Sequence, residues 1–240
     1  MKNNKPVILF YFYVTLGIST MPFVWALEPF EVSYNIYKGP LKVGSITRIL
    51  KIENDGSYVF QSRMKSSGLA TFLSGSLLLE TSHGRISDKK VIPESYIRET
   101  DKGKKNYTLV FDRKNNIVQR TDEESGYTAD LKTDTYDKLS YQAQMMMELG
   151  EITAGGLSYN IASQKKMVKY NITRVKEKRI STPIGKFKTL AVNRKDPNSS
   201  KETTVYCAEQ LNWLPVRIEH TDKKGRSMTA KLETYSSNNH

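Results

Sequence analysis

The sequence has one cysteine in 240 residues, Cys207. No intrachain disulfide can form, so the fold must stand on its packed core. Cys207 sits in Thr203-Thr204-Val205-Tyr206-Cys207-Ala208, which reads as a strand, and is expected to be a buried, inert thiol. Histidine is scarce as well: His83, His220 and His240. No two of them have the spacing of a helical metal site, and no Cys/His cluster exists, so no metal ligand is assigned. All three are expected at the surface, with His83 in a Ser82-His83-Gly84 turn. There is no Gly-x-Ser-x-Gly elbow and no glycine-rich phosphate loop ahead of a helix, so no catalytic residue and no cofactor is assigned. Acidic residues are in deficit, 25 against 37 Lys and Arg, for a formal charge of +12. The basic residues are spread along the chain rather than clustered, which argues against nucleic acid as a partner.

Long apolar runs are also missing, apart from the first 26 residues. Lys2 and Lys5 form a positive start, Val7 to Ile18 an apolar stretch, and Pro22 ends any helix there. Val24-Trp25-Ala26 places small residues at the −3 and −1 positions of a signal-peptidase site. Residues 1–26 therefore read as a cleaved signal peptide, in preference to an uncleaved anchor, since the stretch falls short of a span of ~20 residues. No Cys lies near the cut, which excludes a lipoprotein anchor. The mature chain, Leu27 to His240, carries +10 and no transmembrane span, and a periplasmic or secreted location is expected. Its basic surface would meet anionic envelope surfaces there.

What remains is rich in Val, Ile, Tyr, Phe and Thr in short runs between polar turns, the pattern of antiparallel strands. In the first half, strands are expected at Phe30 to Tyr37, Gly44 to Ile52, Ser57 to Met64, Leu77 to Thr81, Glu94 to Glu99, Asn106 to Asp112, Ile117 to Thr121 and Tyr127 to Lys132. In the second half they are expected at Val168 to Ile180, Lys186 to Arg194, Glu202 to Ala208, Leu214 to His220 and Ser227 to Tyr235. Asn54-Asp55-Gly56 and Asp101-Lys102-Gly103-Lys104 mark hairpins. About a dozen strands suggest a curled sheet or barrel, because closure removes exposed edges. Composition does not change along residues 27–240, so one mainly β domain is expected.

One segment breaks the alternation. Leu139, Ala143, Met146 or Met147, and Leu149 fall at helical spacing, predicting one amphipathic helix over Asp137 to Leu149. Asp134 or Thr135 is the expected cap, Gly150 the expected C′ residue, and Gly155-Gly156 a loose link beyond. Asp134 and Asp137 read as residues of the helix start, where the dipole favours negative charge. Within the helix, Met145-Met146-Met147 point in three directions, so not all can face one core. Methionine suits adaptable apolar surfaces. Tyr141, Met145, Met146 and Leu149 are therefore the candidate ligand-binding residues, against the plainer alternative of helix-to-sheet packing.

Several short motifs, in order, resemble an exported bacterial family, the domain of unknown function 3108 (DUF3108). They are Val43-Gly44, Ser82 with Pro93 and Tyr96, Asp137-Lys138-Leu139-Ser140, Ser181-Thr182-Pro183-Ile184-Gly185-Lys186-Phe187 and Trp213-Leu214-Pro215-Val216-Arg217-Ile218. The resemblance implies an envelope-associated, mostly β protein and no particular reaction. Thr182-Pro183-Ile184-Gly185 is turn chemistry in any case, and Pro215 suits the start of a strand. The expected function is non-catalytic binding of an apolar or amphiphilic envelope component, such as a lipid. A polysaccharide or cell-wall hydrolase would instead need two carboxylates facing across a cleft. A structural or assembly partner of the envelope would need an exposed apolar patch.

Overall fold

A computed structural model describes residues 27–67, 77–103, 106–121, 126–152, 155–195 and 200–237. The expected signal peptide, His240 and the acidic run Asp122 to Glu124 lie outside the described residues. The first eight strands are β1 (Phe30–Lys38), β2 (Leu41–Ile52), β3 (Ser57–Ser66), β4 (Leu77–Ser87), β5 (Lys90–Thr100), β6 (Tyr107–Asp112), β7 (Ile117–Thr121) and β8 (Tyr127–Asp130). The two-residue β9 (Thr135–Tyr136) and the helix α1 (Ser140–Glu148) follow, then a 3₁₀ turn, Leu149–Glu151. The chain continues as β10 (Leu157–Ala162), β11 (Met167–Thr182), β12 (Gly185–Lys195), β13 (Glu202–Ala208), β14 (Leu214–Thr221) and β15 (Ser227–Ser237).

All fifteen strands belong to one sheet, in the order β8-β7-β6-β5-β4-β3-β2-β1-β15-β14-β13-β12-β11-β10-β9. Each half is a meander of hairpins. The halves are joined by pairing of the first and last strands, from Phe30↔Ser237 to Tyr37↔Thr229. The two edges, β8 and β9, are consecutive in the chain, so the sheet curls until its edges face each other. Across that seam the Tyr127 hydroxyl donates to the Ser163 carbonyl at 2.8 Å. This is the expected curled, barrel-like antiparallel sheet, with one parallel pair, β9 with β10.

Alternation places the core. Along β3, Tyr58, Phe60 and Ser62 are buried while Gln61 and Arg63 are exposed. Val32 and Tyr34, Leu50, Leu109, Ile161, Val192 and Leu232 continue the inner face around the curl. Cys207 lies there too, fully buried, and burial pushes its thiol pKa far up. It is the inert thiol its strand context suggested.

Three local readings change. Ser82-His83-Gly84 is not a turn but the middle of β4, which runs on to Asp88-Lys89, a tight turn with both residues at positive φ. Gly84 and Pro93 face each other across β4 and β5 beside a register shift at His83/Gly84. Pro93 has no N–H to give the ladder, and a bulge is where a strand tolerates that. Gly84 is required because a Cβ there would lie 2.1 Å from the Ile92 carbonyl oxygen. Second, Gly156 is not a loose link: its backbone packs against β11, and a Cβ there would lie 2.3 Å from the Ile172 carbonyl oxygen. Third, β10 went unassigned in the sequence, although Tyr159 and Ile161 alternate with Ser158 and Asn160 as a strand requires.

The helix lies inside the curl, and none of its nine residues is exposed. Met145 and Met146 are both buried because the sheet wraps the helix and gives it more than one core-facing side. Its start is set by Asp137, not Asp134 or Thr135. Asp137 Oδ1 accepts the N–H groups of Leu139 and Ser140 at 2.7 and 2.9 Å, and the Asp137 N–H donates back to Ser140 Oγ. Asp137 Oδ2 accepts the hydroxyls of Ser140 and of Ser82 on β4, each at 2.7 Å. With its own proton given to Asp137, Ser82 accepts from the Tyr58 hydroxyl at 3.0 Å. Burial raises the Asp137 pKa, and the four donors partly offset that rise. At the other end Gly150 is in the 3₁₀ turn against the Trp213 indole rather than in a left-handed cap.

Two substitutions test these constraints. Gly84→Ala is expected to lower stability by about 2 kcal/mol or more, since backbone rather than a flexible side chain must yield. A urea midpoint within error of the parent would show that the bulge relaxes freely. Asp137→Ala strands two buried hydroxyls and two N–H groups and is expected to cost about 3–5 kcal/mol. Asp137→Asn, which keeps acceptors for the N–H groups, should cost clearly less by the same measurement.

Candidate functional site

Hairpin topology sorts the turns onto two rims. The β2–β3, β4–β5, β6–β7, β11–β12 and β13–β14 turns lie on one, and the β1–β2, β10–β11, β12–β13 and β14–β15 turns on the other. The helix occupies the first end. Gln144 is 1% exposed; it accepts the Val91 N–H at 2.7 Å and donates to the Lys89 carbonyl, both at the β4–β5 turn. Gly150 meets Trp213 at the β13–β14 turn. The helix thus closes one end of the curl, and its first turn forms a floor beneath the other.

Above that floor is a cavity of about 220 Å³. Met145, Val205, Pro215 and Ile218 supply an apolar wall. Tyr141, Gln142 and Thr203 supply hydrogen-bonding groups, and Arg48, Arg194 and His220 supply cationic or titratable ones. No carboxylate is among its described lining residues. Of the four candidates, Tyr141 and Met145 line this cavity. Met146 and Leu149, 4% and 1% exposed, belong to the core cluster and are not among the lining residues.

The two arginines are held by adjacent residues of the helix. Arg48 Nη1 donates to Gln142 Oε1 at 2.8 Å, and its guanidinium lies 5.8 Å from the Tyr34 ring centre. Its Nε is buried with no hydrogen-bond partner among the described residues. Arg194 donates through Nη1 to the Tyr141 hydroxyl at 2.7 Å and through Nη2 to Thr203 Oγ1 at 2.9 Å, and stacks 4.6 Å from the Tyr170 ring centre. Thr203 Oγ1 is also 2.9 Å from His220 Nδ1. Thr203 thereby links Arg194 to the His220 ring. Burial lowers the His220 pKa, and Arg194 and Lys201 lower it further against an opposing pull from Asp222. His220 is therefore a neutral wall residue, not the free surface histidine expected.

The sequence held a usable signal for the residues it did not flag. Arg48 is in phase with Leu50, Arg194 with Leu190 and Val192, and His220 with Ile218. A cation in the inward phase of a strand is costly unless the interior uses it.

A larger depression, about 560 Å³, lies on the outer face of β2–β4 between side chains such as Thr47, Gln61 and Arg63. Among the described residues it has no helix floor and no converging buried groups. No group of three His, Cys, Asp or Glu that could hold a metal ion occurs among the described residues. The carboxylate there with a raised pKa, Asp137, is fully buried and committed to four donors, so it anchors structure.

His220 gives this end a pH signature. A histidine with a depressed folded pKa binds fewer protons folded than unfolded, so stability falls as pH drops below about 6.5. His220→Gln should flatten the slope of urea stability against pH between 7 and 5 relative to the parent. Parallel slopes would remove His220 from the pH response.

Comparison with known proteins adds the following. No curated protein is similar in sequence. Among solved structures, a β-barrel-like protein of domain of unknown function DUF1849 from Brucella abortus superposes with a TM-score of 0.59 at 11% identity, covering 88% of this chain and 98% of that one. At that identity the likeness is one of fold alone. A candidate exported protein with a YmcC-like fold from Bacteroides fragilis gives 0.37 at 9% identity, covering 88% and 96%, too loose an overlap to carry an argument. Residues 30–233 match the family described as protein of unknown function, DUF3108. That span runs from the start of β1 into β15 and takes in the helix and both arginines, and the chain belongs to this family.

Proposed function

We propose that this protein is exported to the envelope and binds an apolar or amphiphilic envelope component without catalysis, taking it into the cavity above the helix. The observation that carries the reading is the plugged curl. A helix fills one end, and a pocket with an apolar wall and a polar floor is left at the other. Pockets for small ligands combine those features, an apolar lining with a few convergent polar groups. Tyr141 and Met145 serve as contacts, and Met146 and Leu149 fix the helix that presents them. The hydrolase alternative lacks support among the described residues, since their one raised carboxylate is sealed away from solvent. Export rests on the amino-terminal pattern, and β1 begins at Phe30, three residues beyond the first residue of the expected mature chain.

Two measurements test this. Intact mass of the protein recovered from a periplasmic extract should correspond to a chain starting at Leu27; a full-length mass in the membrane fraction would show an anchor instead. Native mass spectrometry of the same sample should show a bound lipid or other amphiphile, lost in Val205→Trp, which fills the wall. A clean apo mass from folded protein, before and after incubation with a periplasmic lipid extract, would overturn the binder reading.

A further inference from the structure

The chemistry of the cavity narrows what it takes. At about 220 Å³ it is smaller than the roughly 300–1,000 Å³ of pockets that enclose a drug-sized ligand. It has room for a head group and a few carbons, with the rest of a chain extending out through the open end. Its floor carries two guanidiniums, and no carboxylate is among its described lining residues. Arg48 forms no ion pair among the described residues, and its inner nitrogen, Nε, is buried without a partner. Guanidinium groups match carboxylate and phosphate oxygens with paired, charge-assisted hydrogen bonds. Exposed lysines stand on the described turns of the same end or beside them, Lys42, Lys165, Lys166, Lys201, Lys223 and Lys224, while Glu202 there lies 3.8 Å from Lys195. Asp222, on that rim, is tied to Arg226 at 2.6 Å. Such a rim attracts anions from a distance.

We infer that the cavity is a head-group site for an anionic amphiphile. A carboxylate or phosphate pairs with Arg48 and Arg194, and the first carbons lie along Met145, Val205 and Ile218. His220 lines the cavity beside them. This rests on the binder reading above and adds the charge and size of the bound end.

The test is calorimetric titration of the purified chain with probes sharing one eight-carbon tail: octanoate, octyl phosphate, 1-octanol and octyl glucoside. Inorganic phosphate and acetate are titrated alone. The two anionic amphiphiles should bind at least tenfold more tightly than either neutral one, and inorganic phosphate and acetate at least tenfold more weakly than their alkyl forms. The preference should shrink as salt is raised and disappear in Arg48→Met, while Arg48→Lys keeps most of it. The salt series on the unaltered chain decides the matter if Arg48→Met does not fold. Equal binding of anionic and neutral probes would overturn the head-group assignment and leave the binder reading intact. Inorganic phosphate binding as tightly as octyl phosphate would replace it with a small-anion site. Binding by none of the six would overturn both.

Discussion

A helix with polar side chains cannot lie inside a sheet unless each buried group meets a strand at the right place. Here five strands answer. Arg48 on β2 meets Gln142, Ser82 on β4 meets Asp137, and the Val91 N–H on β5 meets Gln144. Tyr159 on β10 meets Glu148, and Arg194 on β12 meets Tyr141. A nine-residue helix is marginal by itself in water. These bonds and its buried methionines hold it. Each buried partner left unmatched would cost about 1–3 kcal/mol, so several misfits together would exceed the stability of an ordinary domain. A one-residue slip in β2, β4, β10 or β12 would turn its contributing side chain to the outside. The helix is therefore a gauge of the sheet: the curl and all five registers must be right at once.

The curl in turn relies on irregular positions. Register shifts occur at Ser33/Tyr34, Ile36/Tyr37, His83/Gly84, Arg174/Lys176 and Tyr206/Cys207. Bulges bend a strand and increase its twist, which is how a wide sheet rolls up instead of lying flat. The shift at Tyr206/Cys207 brings Pro215 inward, where its carbonyl accepts the buried Tyr34 hydroxyl at 2.8 Å. That bond crosses from β14 to β1 over the intervening β15 and stiffens the seam between the two halves.

Much of the fold was legible because it depends on local signals. The Asn54-Asp55-Gly56 and Thr182-Pro183-Ile184-Gly185 turns join the strands their chemistry implies, with Gly56 at φ 81° and Gly185 at φ 141°. Alternation identified most strands. What failed depends on neighbours far away in the chain. Ser82-His83-Gly84 looked like a turn because the fit of Gly84 against Pro93 exists only in the paired hairpin. Asp134 and Thr135 looked like better caps than Asp137 because the second partner of Asp137, Ser82, lies 55 residues away. The motifs that carried the family resemblance now have places. Ser82 and Asp137 to Ser140 form the buried anchor, and Pro93 forms the bulge. Of the cavity lining, Tyr141 and Met145 were legible through the helix. Arg48, Arg194 and His220 stayed hidden, since charged residues on strands read as solvated until the inward phase is known.

The arginines tie the site to the fold. Arg48 and Arg194 each hold a residue of the helix's first turn, and the same guanidiniums face the cavity. Anything that engages them acts on groups that also seat the helix. A ligand bound to the folded state alone stabilises it in proportion to the logarithm of its concentration over Kd. Here that gain would be felt first where the helix begins, beside the buried Asp137. Two cations stay this close to the core because each seats the helix: removing either would lose a tether to its first turn as well as a guanidinium on the cavity floor.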